Sequence, residues 1–267
     1  MPFIEIDDES DPRLADYLDL RDPHGRVRYE SARGCFVVEG FTAIERLAKS
    51  THPVRSVLVL PKYVERLTRL LDGRTVPVYV AERPVLAAVA GFDLHRGIVA
   101  SADRPAPMPV EQVLASGGLV VGLDGLNDPE NLGSIARTAR AFGASALLLD
   151  PTCADPWARR TIRVSMGEIL HLPVARADDW AGALSAARTA GFTIAALTPR
   201  PSARSIWEVP AVERMVVMFG AEGPGLGETS FAAADMHVRI PISPQVDSLN
   251  VGHAVAVTLA ALTSGRA

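Results

Sequence analysis

Three separated segments of the chain carry residue types that suit chemistry on a bound ligand. The first reads Leu123-Asp-Gly-Leu-Asn-Asp-Pro-Glu-Asn131-Leu-Gly-Ser-Ile-Ala-Arg137. Its turn residues predict the end of a strand, and Asn131 is placed to cap the helix that follows. Asn131 and Arg137 are six positions apart, so they share a helix face only if Asn131 precedes the first turn. Taken alone, the segment also fits an ordinary capped helix with a surface arginine.

The second segment is rich in glycine. It reads Phe219-Gly220-Ala-Glu222-Gly-Pro-Gly225-Leu-Gly227 and follows the apolar run Val216–Phe219. Glycines without side chains allow a backbone to approach a ligand closely. The segment lacks the GxGxxG fingerprint of dinucleotide-binding proteins and the Gly-Lys-Ser/Thr ending of a phosphate loop.

The third segment runs from a strand into a helix. Ile240-Pro-Ile242 is followed by Ser248-Leu-Asn250-Val and then by an apolar run. Ser248 or Asn250 is predicted to begin the last helix, where a hydroxyl and an amide suit the orientation of polar or anionic groups. A capped C-terminal helix is the simpler interpretation of the same residues.

Other kinds of catalytic site find little support. The sequence has no HExxH zinc motif and no GxSxG nucleophile elbow, and no metal site is predicted. Cys35 and Cys153 have no CxxC partner and are interpreted as small core residues. The six histidines are scattered: His24, His52, His95, His171, His237 and His253.

The elements that position these segments divide near residue 105, where prolines alternate at positions 105, 107 and 109. Residues 1–104 are predicted to form a small α/β domain with a polar lead-in, residues 105–112 a linker, and residues 113–267 a second domain. In the second domain, apolar strands alternate with helices, which predicts a parallel sheet covered on both faces. Ligands of such sheets bind beyond the carboxyl ends of the strands, here after Leu123, Leu197, Phe219 and Ile240.

Composition restricts the class of protein. The 267 residues are 48% hydrophobic and 22% charged, with a net charge of −4. These values are typical of a globular protein and exclude a uniformly basic nucleic-acid binder, although a local basic patch remains open. The acidic N-terminus and the short apolar runs predict a cytoplasmic protein without a signal peptide or a membrane span.

Together, the three segments resemble the motifs of the SpoU/TrmH family of RNA ribose 2′-O-methyltransferases, in the SPOUT superfamily. Asn131-Leu-Gly133-Ser-Ile-Ala-Arg137 is similar to the first motif, the glycine-rich segment to the second, and Ile240 to Val251 to the third. Residues 28–40 and 95–98 are similar to the N-terminal substrate-binding domain of many members. The resemblance covers about residues 116–263 for the catalytic domain.

The resemblance implies an α/β fold whose SPOUT domain contains a parallel sheet and a trefoil knot, and a homodimer with its active site at or near the subunit interface. It also implies S-adenosylmethionine as the methyl donor. The residues that correspond to the donor pocket of the family are Leu197, Thr198, Gly220, Gly225, Ile240, Ile242 and Leu249.

The same resemblance assigns catalytic roles. Arg137 corresponds to the family arginine at the acceptor hydroxyl, which is often assigned as the general base. A guanidinium has a pKa above about 12, so we favour an Arg137 that holds the neighbouring RNA phosphate and stabilises the developing alkoxide. Asn131, Ser248 and Asn250 would orient Arg137 and the ribose, and Glu222 would fix the loop or the arginine.

RNA is expected to contact two groups of arginines. A basic segment in the first domain and a predicted helix over residues 157–169 supply them: Arg21, Arg26, Arg28, Arg33, Arg159, Arg160 and Arg163. Because minimal tRNA-modifying relatives often lack the N-terminal domain, ribosomal RNA is the favoured substrate. The alternatives are a tRNA 2′-O-methyltransferase, a noncatalytic RNA-binding ribosome-assembly factor, and a different nucleotide-binding enzyme of the doubly wound class.

Overall fold

The computed structural model describes residues 2–71 and 73–264. The strands, in chain order, are β1 (Phe3–Ile6), β2 (Cys35–Glu39), β3 (Val54–Val59), β4 (Val78–Ala81), β5 (Ile98–Asp103), β6 (Leu119–Asp124), β7 (Ala146–Leu149), β8 (Val174–Arg176), β9 (Thr193–Leu197), β10 (Arg204–Ser205), β11 (Met215–Gly220) and β12 (Met236–Arg239). The α-helices are α1 (Pro23–Arg33), α2 (Phe41–Lys49), α3 (Val64–Leu70), α4 (Arg83–Ala90), α5 (Val110–Ala115), α6 (Pro129–Ala141), α7 (Arg159–Val164), α8 (Trp180–Thr189), α9 (Glu228–Ala233) and α10 (Val251–Thr263).

The chain forms two compact units, each with its own sheet. The first unit contains residues 1–106 and 157–171, and the second contains residues 107–156 and 172–267. The division at residue 106 falls in the proline-rich stretch. Residues 157–171, which the sequence assigns to the second domain, instead pack within the first unit, and α5 begins at Val110, inside the predicted linker.

The first unit has a mixed sheet in the order β1-β4-β3-β5-β2, in which β5 runs antiparallel to both of its neighbours. The described residues before β2, where the sequence predicts a polar lead-in, form regular structure. Those residues contain the edge strand β1, a 3₁₀ turn at Pro12–Tyr17 and α1. The sequence does not reveal β1, because the strand has only four residues, too few for a clear alternation of apolar and polar side chains, and one of them is Glu5.

Residues 157–169 do not form the single predicted helix. The short helix α7 ends at Val164, and Met166 and Gly167 have φ angles of +56° and +82°, which a helix cannot accommodate. Trp157 packs against Phe36 and His52, with ring centres 5.7 and 5.1 Å away. These contacts explain why the segment belongs to the first unit.

The second unit has a parallel sheet in the order β10-β12-β9-β11-β6-β7-β8. The predicted parallel sheet is confirmed. One face of it packs against α5 and α8, through buried side chains that include Trp180 and Leu184. Burial of one large apolar side chain contributes about 1.5–3 kcal/mol to the free energy of folding. The helices α6 and α10 pack against each other. Because β12, β9 and β11 are parallel neighbours, their carboxyl ends lie side by side at one edge of the sheet.

Candidate functional site

Side chains from the three sequence segments meet at that edge. Asn131 lies on α6, Glu222 follows β11, and Asn250 precedes α10. Asn131 Nδ2 donates to Glu222 Oε1 over 3.1 Å, and Asn250 Nδ2 donates to the same oxygen over 2.5 Å. Asn250 Nδ2 also lies 3.1 Å from Asn131 Oδ1, which accepts its proton. The three residues form a closed hydrogen-bonded triangle.

A cavity of about 630 Å³ opens beside this triangle. Its volume lies within the range of small-molecule sites in proteins. Glu222 and Asn250 line it, together with apolar side chains and glycine backbone. All seven residues that the sequence predicts for the donor pocket are part of its wall: Leu197, Thr198, Gly220, Gly225, Ile240, Ile242 and Leu249.

The glycine-rich loop turns back on itself. Gly225 N donates to Ala221 O over 3.0 Å, which closes the turn. A Cβ atom added at Gly220 would lie 2.0 Å from the carbonyl carbon of Gly225, so no side chain fits there. The loop therefore presents backbone groups to the cavity.

Asp124, at the end of β6, holds the same loop from the other side. Its backbone oxygen accepts from Ala221 N over 3.0 Å, and its Oδ2 accepts from Gly227 N over 2.8 Å and from Ser230 Oγ over 2.6 Å. Trp180 Nε1 donates to Ser230 Oγ over 2.9 Å. The sequence prediction did not include Asp124, although an acidic residue that ends an apolar strand was a usable signal.

Two further residues at the cavity were not predicted. Arg200 follows β9, and its guanidinium carbon lies 4.4 Å from the ring centre of Phe231. Both residues line the cavity. Arg200 is a single arginine after a strand, and nothing in its local sequence distinguishes it from a surface residue.

The prediction that Asn131 caps α6 is wrong. Asp128 is the cap, and its Oδ1 accepts from Glu130 N over 2.7 Å. Asn131 therefore lies within the helix, as does Arg137. Six residues of helix separate them by about 9 Å along the axis and about 120° around it. They do not share a face, and the hydrogen-bond partners of the Asn131 side chain are Glu222 and Asn250.

The remaining predicted catalytic residues differ in their surroundings. Asn250 caps α10 as predicted, since its Oδ1 accepts from Gly252 N over 3.0 Å. Ser248 lines the cavity, but its side chain makes no hydrogen bond to residues 2–71 or 73–264. The exposed Arg137 likewise has no hydrogen-bond or ion-pair partner among these described residues.

Two of the predicted RNA-contacting arginines are used inside the first unit. Arg26 is only 8% exposed, pairs with Glu30 and donates to two backbone carbonyls. Arg159 pairs with Glu39 and donates to Leu20 O over 3.0 Å. These guanidinium groups are used within the fold, and their contact with RNA stays a prediction.

The other predicted arginines remain accessible. Arg33 is exposed and lies 3.4 Å from Asp16. Arg163 is half-buried on α7, and the others are exposed: Arg21, Arg28 and Arg160.

Both cysteines are buried, as predicted for core residues. The described part of the chain has no cluster of three or more histidine, cysteine or acidic side chains that would hold a metal ion. Among the same residues, no helix combines the length and apolar character needed to cross a membrane.

Comparison with known families assigns both parts of the chain. Residues 118–260 match the SpoU rRNA Methylase family. Residues 37–108 match the family described as RNA 2′-O ribose methyltransferase substrate binding.

Similar proteins span nearly the whole chain. An uncharacterised tRNA/rRNA methyltransferase of Mycobacterium tuberculosis is 38% identical, over 95% of this chain and 89% of the relative. The 23S rRNA (guanosine(2553)-2′-O)-methyltransferase RlmP of Bacillus subtilis is 27% identical, over 95% and 96%. The crystal structure of an AdoMet-bound rRNA methyltransferase from Sinorhizobium meliloti has the same fold, with a TM-score of 0.83 and 24% identity over 97% of each chain.

Proposed function

The chain belongs to the SpoU family of RNA methyltransferases, and from this premise we propose that it transfers a methyl group from S-adenosylmethionine to a ribose 2′-hydroxyl of ribosomal RNA in the cytoplasm. The observation that carries the proposal is the triangle of Asn131, Glu222 and Asn250 beside the cavity. It joins the three motifs at the edge of the sheet where ligands of parallel sheets bind. The B. subtilis relative, named for a 23S rRNA ribose, supports ribosomal RNA over tRNA.

The cavity fits the proposed methyl donor in size and in chemistry. Leu197, Ile240 and Leu249 offer apolar walls for an adenine ring, and the loop at Gly220 offers backbone hydrogen-bonding groups at close range. When bound, S-adenosylmethionine supplies an electrophilic methyl group on a sulfonium. Thr198, Gly225 and Ile242 complete the set of residues that would hold it.

Arg137 is the residue proposed to act on the RNA. Its exposed guanidinium has no partner among the described residues, which leaves all its donors available to an RNA phosphate. We propose that it binds the phosphate next to the target ribose and stabilises the negative charge that develops on the 2′-oxygen. The hydroxyl proton is lost to water, late in the reaction or with the assistance of the phosphate.

The triangle has a positioning role in this proposal. Glu222 accepts two amide hydrogen bonds and ties the glycine-rich loop to the starts of α6 and α10. Loop and helices then hold the wall of the cavity in one arrangement before the substrates bind. Such preorganisation lowers the barrier because the reacting groups need not be ordered during the reaction.

We further propose a homodimer that shares its active sites. Apart from the exposed His253 and two threonines, the residues of α10 are apolar or glycine, and Val257, Ala261 and Leu262 remain partly exposed. Trp207, 64% exposed, lies on the Ile206–Glu208 turn that packs against α10. An apolar helix of this kind is normally covered on all sides. A second copy would cover it. In such a dimer, Arg137 of one subunit would contribute to the active site of the other.

The trefoil knot also stays a proposal. Family membership supports it, as does the cavity wall, which is built from three separate segments that follow β9, β11 and β12. A crystal structure in which the path from β12 to α10 does not pass through a loop of the chain would contradict it.

The test of the function is a transfer experiment with separate RNA substrates. Purified protein is incubated with methyl-labelled S-adenosylmethionine and with unmodified transcripts of 23S rRNA, 16S rRNA and tRNA. We expect label on one ribose 2′-oxygen of ribosomal RNA, located by primer extension and mass spectrometry. Label on tRNA alone would identify the alternative substrate. Donor binding without transfer to any RNA would favour a noncatalytic RNA-binding factor.

The role of Arg137 is tested with a matched pair of variants. Arg137→Ala is expected to abolish methyl transfer while the Kd for S-adenosylmethionine, measured by calorimetry, stays within about twofold. Arg140→Ala removes a second exposed arginine from the same helix and is expected to keep most of the activity. Turnover of Arg137→Ala at the wild-type rate would remove Arg137 from the mechanism.

A further inference from the structure

The first unit carries an aromatic and basic surface patch outside all the arginine groups considered above. It consists of Phe41, Lys62, Tyr63, Arg66 and Arg96. All five residues lie within the range that matches the substrate-binding family. They come from three places in the chain: the start of α2, the Pro61–Tyr63 turn with α3, and the turn before β5.

The two aromatic rings of the patch pack together. The ring centres of Phe41 and Tyr63 are 5.2 Å apart at an interplanar angle of 76°. Tyr63 is wedged against Gly97, where an added Cβ would lie 2.9 Å from the tyrosine ring. Both rings are half-buried, so they are anchored in the fold and keep one part exposed.

Two cations lie over the rings, and a third, Arg96, lies against Gly40, which precedes Phe41 in the chain. The guanidinium carbon of Arg66 lies 3.9 Å from the ring centre of Phe41, and Lys62 Nζ lies 4.8 Å from that of Tyr63. The side chain of Arg96 lies across Gly40, where a Cβ would be 2.7 Å from its Cδ. Gly40 has a φ of +87°, a conformation that favours glycine and leaves the space that Arg96 occupies.

These three cations differ from their neighbours in forming no ion pair, although the charge of Arg66 contributes, after that of Lys49, to the lowered pKa of Glu45. Within residues 2–71 and 73–264, no carboxylate forms an ion pair with Lys62, Arg66 or Arg96. Nearby carboxylates are paired with other cations, in the pairs Glu45–Lys49, Glu65–Arg69 and Asp93–Arg83. The positive charge of the patch is therefore available to an external anion.

We infer that this patch is a binding platform for an unpaired segment of RNA. Aromatic rings and guanidinium planes stack on unpaired bases, and the adjacent cations bind the phosphates on either side. A protein partner with an acidic surface would use the cations but would have no need for rings held edge to face beside them. The inference rests on the proposed function for the identity of the RNA, and it places one contact of that RNA on residues 40–41, 62–66 and 96–97.

Binding experiments with charge-matched variants test the platform. The patch variant is Lys62→Ala/Arg66→Ala/Arg96→Ala. The control is Arg13→Ala/Lys49→Ala/Arg69→Ala, which removes three exposed cations of the same unit that are each paired with a carboxylate. The probe is an unmodified 23S rRNA transcript, and its Kd is measured over a series of salt concentrations.

We expect the patch variant to raise the Kd for RNA about tenfold or more. Loss of three phosphate contacts should also reduce the slope of log Kd against log salt by about 2. The Kd of the control variant for RNA should stay within about twofold of the wild-type value. Tyr63→Leu, which keeps apolar bulk but loses the ring, should raise the Kd about fivefold, in line with the loss of one stacked base. Equal effects of patch and control variants would overturn the platform.

Photocrosslinking locates the contact independently of any variant. With a 4-thiouridine transcript, we expect a crosslinked peptide that contains Phe41 or Tyr63, and crosslinks confined to other surfaces would overturn the inference. The outcomes also separate this inference from the proposed function. RNA binding that depends on the patch without methyl transfer would reject only the function. Methyl transfer with the same KM for RNA in the wild type and in the patch variant would reject only the platform.

Discussion

Asn250 and Glu222, 28 residues apart in the chain, are joined by a 2.5 Å hydrogen bond from Nδ2 to Oε1. The same asparagine caps α10 through its Oδ1. One side chain therefore ends a loop, begins a helix and ties that helix to the glycine-rich turn.

Glu222→Gln should lower methyl transfer. The substitution replaces a charged acceptor of two amide hydrogen bonds by a neutral group. A hydrogen bond to a charged group contributes about 1.5–3 kcal/mol, so we expect kcat/KM to fall about tenfold or more. Glu228→Gln, an exposed residue in the first turn of α9, serves as the matched control. An unchanged kcat/KM for Glu222→Gln would show that the triangle does not position the site.

Substitutions at Asn250 separate its two roles. Asn250→Ala loses both the cap and the triangle, and the free energy of unfolding should fall by about 1 kcal/mol together with activity. Asn250→Ser keeps a capping oxygen, so stability should be retained while activity falls. Asp179→Ala removes the cap of α8. It should lower the free energy of unfolding as much as Asn250→Ala does, but leave activity unchanged. Urea unfolding and initial rates provide both measurements, and full activity in Asn250→Ser would contradict the positioning role.

Gly220→Ala should weaken binding of the methyl donor. The new Cβ would collide with the backbone of Gly225 at 2.0 Å and force the loop open. Overpacking of this kind costs about 1–3 kcal/mol, and we expect the Kd for S-adenosylmethionine to rise about tenfold. At Gly227, in the same loop, an added Cβ would have its nearest contact at 3.3 Å, so Gly227→Ala is the control. Equal Kd values for both variants would argue against a rigid loop.

Acidification should destabilise the first unit through His52. Burial lowers the pKa of His52 from its usual value of 6.5, and the charge of His171 lowers it further. The unfolded chain then binds more protons than the folded one, so stability is lost as the pH falls below about 6.5. His52→Leu should flatten this loss between about pH 7 and pH 5, whereas the exposed control His95→Leu should not. The urea midpoint at each pH is the measurement, and a parallel decline in both variants would exclude His52 as the cause.

The two thiols should be unreactive in the folded protein. Burial raises the pKa of Cys35 to about 11 and that of Cys153 to about 12, so neither forms an appreciable thiolate at neutral pH. A maleimide reagent should label neither cysteine in the native state and both in guanidinium chloride. Ser10→Cys, at an exposed position, provides the positive control. Rapid native labelling of Cys35 or Cys153 would reveal local opening.

The sequence was sufficient for features that depend on local chemistry. Apolar runs bounded by turn residues located six of the seven described strands of the second unit to within one or two residues. The two-residue strand β10 was not predicted, because Arg204–Ser205 is not an apolar run. The same strands located the edge of the sheet at which a cavity opens, and the seven residues that the family resemblance implies for the donor pocket all line that cavity. The start of the last helix at Ser248 or Asn250 was recognisable because capping depends on nearby residues, and Asn250 is the cap.

Tertiary structure decided which partners each polar group finds. Asn131 and Asn250 meet across 119 residues, and nothing in either segment specifies the other. Arginine is usually a surface residue, yet Arg26 pairs with Glu30 and Arg159 pairs with Glu39 within the fold. Residues 157–171 join the first unit because Trp157 packs with Phe36 and His52. A sequence pattern reports burial and backbone preference along the chain, whereas pairing depends on distances that exist only after the chain has folded.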